Sequence, residues 1–258
     1  MTIHTLLAFY ALATGLIVGS YLNVVIYRLP RELSTAWPRS HCPGCGTPIA
    51  ALDNVPVLSF LLLRGRCRHC RDRISWRYPL LEAATGALFL GCFLRFGPTV
   101  EALAGALFGA VLIALAGIDA EHFLLPDQIT LPAIVAGLAL APWLAWSGMR
   151  SALLGAGLGG GLLLVLAWGW QRIRGEEGMG LGDVKMLAMI GAFLGLQGML
   201  VTLVLAATSG ALVGLALMRR GRAGLKTRLP FGVFLSAAGL VALFVGPTLA
   251  ERYLALLR

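Results

Sequence analysis

Apolar residues run through this chain in stretches of about 20, the length an α-helix needs to cross roughly 30 Å of hydrocarbon. Such stretches begin near Leu6, Leu80, Ala102, Thr130, Ser151, Val201 and Phe231, and a shorter one runs from Val184 to Leu196. The pattern predicts an all-α integral membrane protein of about eight transmembrane helices, with one sizeable polar insert between the first and the second. Its expected organisation is a first transmembrane helix over residues 1–27, an insert over 28–78 and a polytopic membrane domain over 79–258.

Composition agrees with the pattern. Apolar residues make up 58% of the 258 and charged residues only 13%, more grease than a soluble core of this size needs. Ala11-Leu-Ala13 resembles a signal cleavage site, but no basic region precedes it and the run stays apolar to Tyr27, so a retained span is expected. Of the 21 Lys and Arg, 17 fall in the segments 28–78, 171–185 and 219–228. The positive-inside rule then places these loops in the cytoplasm and both termini outside. The net charge of +9 reports orientation in the membrane, and no nucleic-acid partner is inferred from it.

The insert is broken by Pro30, Pro38, Pro43, Pro48 and Pro56 and has no sustained helical period. Within it Cys42-Pro-Gly-Cys45 and Cys67-Arg-His-Cys70 are separated by 21 residues. Two such pairs fit a tetrahedral four-cysteine zinc site, and basic neighbours favour the thiolates that bind the metal. Two disulfides are the alternative, disfavoured by a reducing cytoplasm. Four thiolates leave no open position for water, so the zinc is expected to be structural. His41 and His69 flank the thiols as substitute ligands, and Cys92, in an apolar run, reads as a core residue.

Acids at membrane depth are costly, and two stand out: Asp119 at the end of one span, and Asp183 behind Gly178, Gly180 and Gly182. The topology delivers both to the cytoplasmic face. Two carboxylates sharing one proton can activate a water while polarising a scissile carbonyl, so they are predicted to form a catalytic dyad. The three glycines leave room for an extended substrate. Helix capping is the plain alternative for either acid, and Asp127 reads as a cap. Glu121, Glu176 and Glu177, with Asp119, Asp127 and Asp183, gather half of the chain's twelve acids in two loops, and this patch is expected to receive a basic peptide.

These residues resemble the bacterial type IV prepilin peptidases, also called prepilin leader peptidase and N-methyltransferase. The resemblance covers nearly the whole chain. It rests on Gly19-Ser-Tyr-Leu-Asn23 with Arg28-Leu-Pro30, the two cysteine pairs, Asn54-Val-Pro56, Arg64-Gly-Arg-Cys67, Arg77-Tyr-Pro79 with Glu82, Asp119 with Pro126-Asp127, Gly178-Met-Gly-Leu-Gly-Asp183-Val-Lys-Met186 and Pro230-Phe-Gly232. It implies that Asp119 and Asp183 are the catalytic pair of a protease in the bacterial inner membrane. The implied substrates are prepilins and pseudopilins, cut after Gly at the cytoplasmic face. It further implies N-methylation of the new N-terminal residue with S-adenosylmethionine, an activity associated with the insert. No glycine fingerprint places that donor, and Arg64, Arg66 and Glu82 are candidates by proximity alone.

Other classes are a transporter, since intramembrane acids also mark ion pathways, and an assembly factor built on the zinc insert. Transport sites usually lie near the bilayer midplane in repeated broken helices, whereas these acids sit at span ends. The Gly155–Gly161 run reads as close helix packing. Lys185 and the basic 219–228 loop read as headgroup contacts, and Trp143, Trp146, Trp168 and Trp170 as interfacial anchors.

Overall fold

The computed structural model describes residues 2–175, 180–221 and 229–256. Among them there is no strand, only two isolated bridges, His41 with Pro48 and Arg66 with Arg73. The chain divides into two compact units, Met1–Ala110 and Val111–Arg258.

The first unit contains α1 (Ile3–Arg28), the short α2 (Leu58–Leu62), α3 (Arg77–Phe96) and the first half of α4 (Val100–His122). Thr2 starts α1, its hydroxyl accepting the Thr5 N–H at 3.3 Å. Glycines then let α1 lie close along α3: a Cβ on Gly19 would come 2.7 Å from the Glu82 Cα, and one on Gly15 2.8 Å from the Gly86 Cα. Two of the polar side chains buried by this approach find backbone partners, although the Asn23 Oδ1 has none. Asn23 donates to the Tyr78 carbonyl at 3.3 Å, and the Glu82 carboxylate accepts the Val57 N–H at 2.7 Å, fastening the insert to α3. Cys92 is fully buried, as expected for a core residue.

The second unit holds the rest of α4, then α5 (Asp127–Leu140), α6 (Gly148–Arg174), α7 (Leu181–Arg219) and α8 (Phe231–Leu256). The centre is α7, packed by α5, α6 and α8. Its Gly191 meets Gly155 of α6 backbone to backbone, with no space for a Cβ, and Gly159 lies similarly against the Leu187 carbonyl. Gly155 and Gly159 of the run thus form a packing face, whereas a Cβ on Gly157 or Gly161 would meet nothing within 4 Å.

At 39 residues α7 would measure about 58 Å unbroken, nearly twice the hydrocarbon thickness. It breaks at Gly195, whose φ of 70° and ψ of −175° lie outside helical space and favour glycine. The two groups freed by the break are satisfied: Leu196 N–H donates to Ser151 Oγ and Trp146 Nε1–H to the Phe193 carbonyl, both at 3.0 Å. The apolar stretches expected as separate runs, Val184–Leu196 and the one from Val201, are the two sides of this break. Trp146, expected only as an interfacial anchor, here serves the interior, whereas Trp143 and Trp168 are exposed.

Among the described residues, five helical segments are long and apolar enough to cross a membrane: Ile3–Arg31, Arg77–Phe96, Val100–His122, Gly148–Ile173 and Leu181–Arg219. The molecule is a multi-pass membrane protein with exposed Leu, Val and Phe along its helices, the surface that lipid rather than water accommodates.

Candidate active site

Asp119 sits in the last turn of α4 and is buried, at 5% exposure. Asp183 is the third residue of α7 and half-buried. Both belong to the second unit and lie close enough for their charges to act on one another. Neither acid caps the helix that follows it. The cap of α7 is Gly180 and that of α5 is Pro126, and no side chain bonds to either helix start.

A third element holds the pair. The Asp119 Oδ2 accepts the Val233 N–H at 3.2 Å, and the backbone of Gly232 bonds to the same carboxylate. Both residues lie in the first turn of α8, where backbone N–H groups have no partner within the helix; the Val233 N–H is shared between the carboxylate and the Pro230 carbonyl, at 3.3 Å. Gly232 makes the approach possible, because a Cβ there would meet Asp119 Oδ2 at 2.8 Å and Leu125 Cδ2 at 3.1 Å. The buried Leu125 also fills the space beside Gly182, where a Cβ would come 2.9 Å from its own Cβ. Gly182 precedes Asp183, so one leucine side chain sets the spacing of α7 from α8 at the acids.

Asp127, in the first turn of α5, pairs with Lys185 Nζ at 2.5 Å. The lysine read as a headgroup contact and the aspartate read as a cap therefore join α5 to α7 two residues beyond Asp183. Glu121 is exposed beside His122, at 3.9 Å, and Gly180 lies exposed at the start of α7. Glu176, Glu177 and Gly178 are outside the described residues. Sequence reasoning missed the positioning roles of Leu125, Lys185, Gly232 and Val233. The signal for one of them, Gly232, was the Pro230-Phe-Gly232 motif, noted without a physical task.

In the first unit Cys42, Cys45, Cys67 and Cys70 converge, with their sulfurs all within 4.8 Å of one another. Each pair sits on a tight turn: Cys42 N–H bonds to Thr47 O and Gly46 N–H to Cys42 O, and the second pair repeats this with Cys67 N–H to Asp72 O and Arg71 N–H to Cys67 O. The two isolated bridges clamp the bases of these turns. Asp53 and Arg68 add a two-bonded fork at 2.6 and 2.8 Å. Arg68 holds the Asp53 carboxyl below its ordinary value, first by hydrogen bonding and then by its charge.

All five cysteines are free thiols, and Cys42 and Cys70 lie 3.7 Å apart, far beyond a disulfide bond. A metal about 2.3 Å from each of four tetrahedral sulfurs would separate them by about 3.8 Å, so the cluster fits such an ion. The Thr47 hydroxyl and backbone hold Cys45 down to about 6. The Asp72 backbone lowers Cys70, but desolvation and the three neighbouring sulfurs outweigh it and push this thiol up to about 12. Four sulfurs this close can all be thiolates only around a cation, which is the chemistry of a metal-binding set.

Comparison with known proteins agrees with these features. The bacterial peptidase A24 N-terminal domain matches residues 13–96, and the type IV leader peptidase family matches residues 106–215. The chain is thus a membrane peptidase. A prepilin leader peptidase/N-methyltransferase of Burkholderia pseudomallei (strain 1026b) is 43% identical over 92% of this chain and 85% of its own length. Proteins of the same name from Pseudomonas putida and Aeromonas hydrophila are 41% and 39% identical, over 95% and 93% of this chain and 96% and 91% of their own. The chain belongs to the type IV leader peptidase family. These relatives do not favour the transporter and assembly-factor alternatives. No solved structure matches it.

Proposed function

We propose that this chain is an aspartic endopeptidase of the bacterial inner membrane that removes the basic leader of prepilins and pseudopilins after Gly and then N-methylates the new terminus. One observation carries the peptidase reading: two carboxylates on different helices, with one leucine, Leu125, packed beside Gly182 before the one and beside Gly232 against the other, and with Asp119 held by the backbone of a third helix. The N–H groups of Gly232 and Val233 suit an acceptor carboxylate, so Asp119 takes the proton from the attacking water. Asp183 carries the shared proton and donates it to the scissile carbonyl oxygen. The resulting tetrahedral carbon collapses with proton return to the leaving amine, and the acids exchange roles.

The exposed Gly180 at the start of α7, with Gly178 before it in sequence, is where an extended substrate segment lies, whereas Gly182, expected to share that task, is closed off by Leu125; Glu121, with Glu176 and Glu177, receives the basic leader. Charge distribution supports eight crossings with the insert and the acids at the cytoplasmic surface. The division into residues 1–27, 28–78 and 79–258 follows from the same reading. Cys42, Cys45, Cys67 and Cys70 hold a structural zinc ion, favoured for four thiolates in a closed site. S-adenosylmethionine supplies an electrophilic methyl group to the new amine.

The test is the intact mass of a purified prepilin after incubation with this protein and S-adenosylmethionine in detergent. Wild type should remove the leader and add one methyl group, and Asp183→Asn should leave the prepilin whole. Equal cleavage by both proteins would end the dyad assignment.

A further inference from the structure

The insert carries a cavity of about 480 Å³ that the peptidase reading does not use. Its polar lining is Arg64, Arg66 and Arg73, its apolar wall includes Phe60, Leu61 and Trp76, and no acid takes part. None of the three arginines makes an ion pair with a carboxylate among the described residues, whereas Arg68, in the same segment, is forked to Asp53. Arg66 and Arg73 also stand directly opposite each other in an antiparallel bridge. Like charges in that position destabilise the pairing unless an anion lies between them.

The apolar wall is equally specific. Phe60 and Trp76 are ring neighbours, 4.8 Å between centroids at 59°, and Trp76 directly precedes the membrane-crossing α3. Leu61 and Leu62 of α2 are exposed beside it. Trp, Arg and exposed leucine at a span's entry mark the headgroup level of a bilayer. The volume lies in the range of small-ligand sites. S-adenosylmethionine fits poorly: its sulfonium and ammonium against one carboxylate make it a net cation, opposed by three guanidiniums with no acid in the lining.

We propose that this cavity binds the phosphate of an anionic phospholipid, with Arg64, Arg66 and Arg73 on the phosphate oxygens and the glycerol and upper acyl chain against Phe60, Leu61 and Trp76. Guanidinium is the suited donor, since its planar fork matches phosphate oxygens. The inference goes beyond the peptidase reading, and its readout is binding, so it stands or falls separately.

The full chain in neutral detergent is offered equal amounts of phosphatidylglycerol and phosphatidylcholine, and retained lipid is counted by native mass spectrometry. Wild type should prefer phosphatidylglycerol, and Arg66→Gln with Arg73→Gln should cut that preference about thirtyfold, at about one lipid-facing charge each. Arg39→Gln with Arg71→Gln removes the same charge outside the cavity and should preserve it. Arg66→Lys with Arg73→Lys should retain part, and metal content reports whether each variant keeps its insert folded. Unchanged preference in the cavity variant, or equal loss in both glutamine pairs, overturns the proposal. So does displacement of the lipid by millimolar glycerol phosphate, which would assign the cavity to a soluble phosphate. Loss of S-adenosylmethionine binding with lipid retained would assign it to the methyl donor and overturn the proposal too.

Discussion

Replacing Gly232 by alanine probes the acid pair without touching either acid. The new Cβ would stand 2.8 Å from Asp119 Oδ2 and 3.1 Å from Leu125 Cδ2, against an ordinary contact of at least 3.4 Å. Relief requires a retreat of about 0.6 Å by the carboxylate or by the first turn of α8, which stretches the N–H bond from Val233. A misplacement of 1 Å near reacting groups costs on the order of a hundredfold, so a loss of roughly 10- to 50-fold in kcat is expected, about 1.4 to 2.3 kcal/mol. KM should stay within a factor of about two, since the alanine meets no proposed substrate contact.

Helix propensity works in the opposite sense, because alanine favours a helix over glycine by up to about 1 kcal/mol. A loss of activity with an unchanged or raised Tm therefore reports geometry and not unfolding. The assay is steady-state leader removal from a prepilin peptide, with Gly157→Ala as control, since no atom lies within 4 Å of a Cβ built there. A kcat within twofold of wild type, or a raised KM at unchanged kcat, would refute the positioning argument.

Four further expectations follow from named contacts. Asp127→Asn and Lys185→Met should each reduce kcat several-fold, and the exchanged pair Asp127→Lys with Lys185→Asp should recover part of it. The pair is partly exposed and contributes at most about 1 kcal/mol to stability, so Tm should barely move. Purified protein should contain one zinc per chain by elemental analysis, and chelation should expose four titratable thiols while Cys92, fully buried, stays unreactive. Gly191→Ala should destabilise the protein by about 1 to 3 kcal/mol through overpacking against Gly155, measured as a lowered Tm. Asp53 is held below its ordinary 3.8, so the fork to Arg68 is at full strength above that value and is lost as pH falls through the lower folded one. Hydrogen exchange over 53–70 should therefore be insensitive to this pair between pH 7 and 5, and Asp53→Asn should differ from wild type throughout that window.

The apolar runs were legible because hydrocarbon leaves the backbone no alternative to a helix. The cysteine pairs were legible because a metal dictates their spacing, and the two acids because charge in an apolar chain is conspicuous. The break at Gly195 was only half legible: the runs on each side of it stood out, but Leu194-Gly-Leu196 contains no Pro and no polar cluster to mark it. What satisfies the break comes from Trp146 and Ser151, about 45 positions away. The hold on Asp119 was illegible for a similar reason. It comes from a backbone group 114 positions later, and a backbone N–H leaves no trace in residue type. Lys185 and Asp127 were each read as facing a neighbour of their own helix or the lipid, because pairing across 58 positions has no local pattern.

That hold has a consequence for genetics. A peptide N–H is present whatever side chain follows it, so an alanine scan would pass through Val233 without registering that it touches the acid. The information lies in the phase of α8: inserting one residue after Phe231 would turn the rest of the helix by about 100° and carry a different N–H past Asp119. Insertions and deletions, and not substitutions, are the mutations to which this part of the site is sensitive. A screen built only from point changes would list Gly232 and leave unexplained why a glycine is needed there.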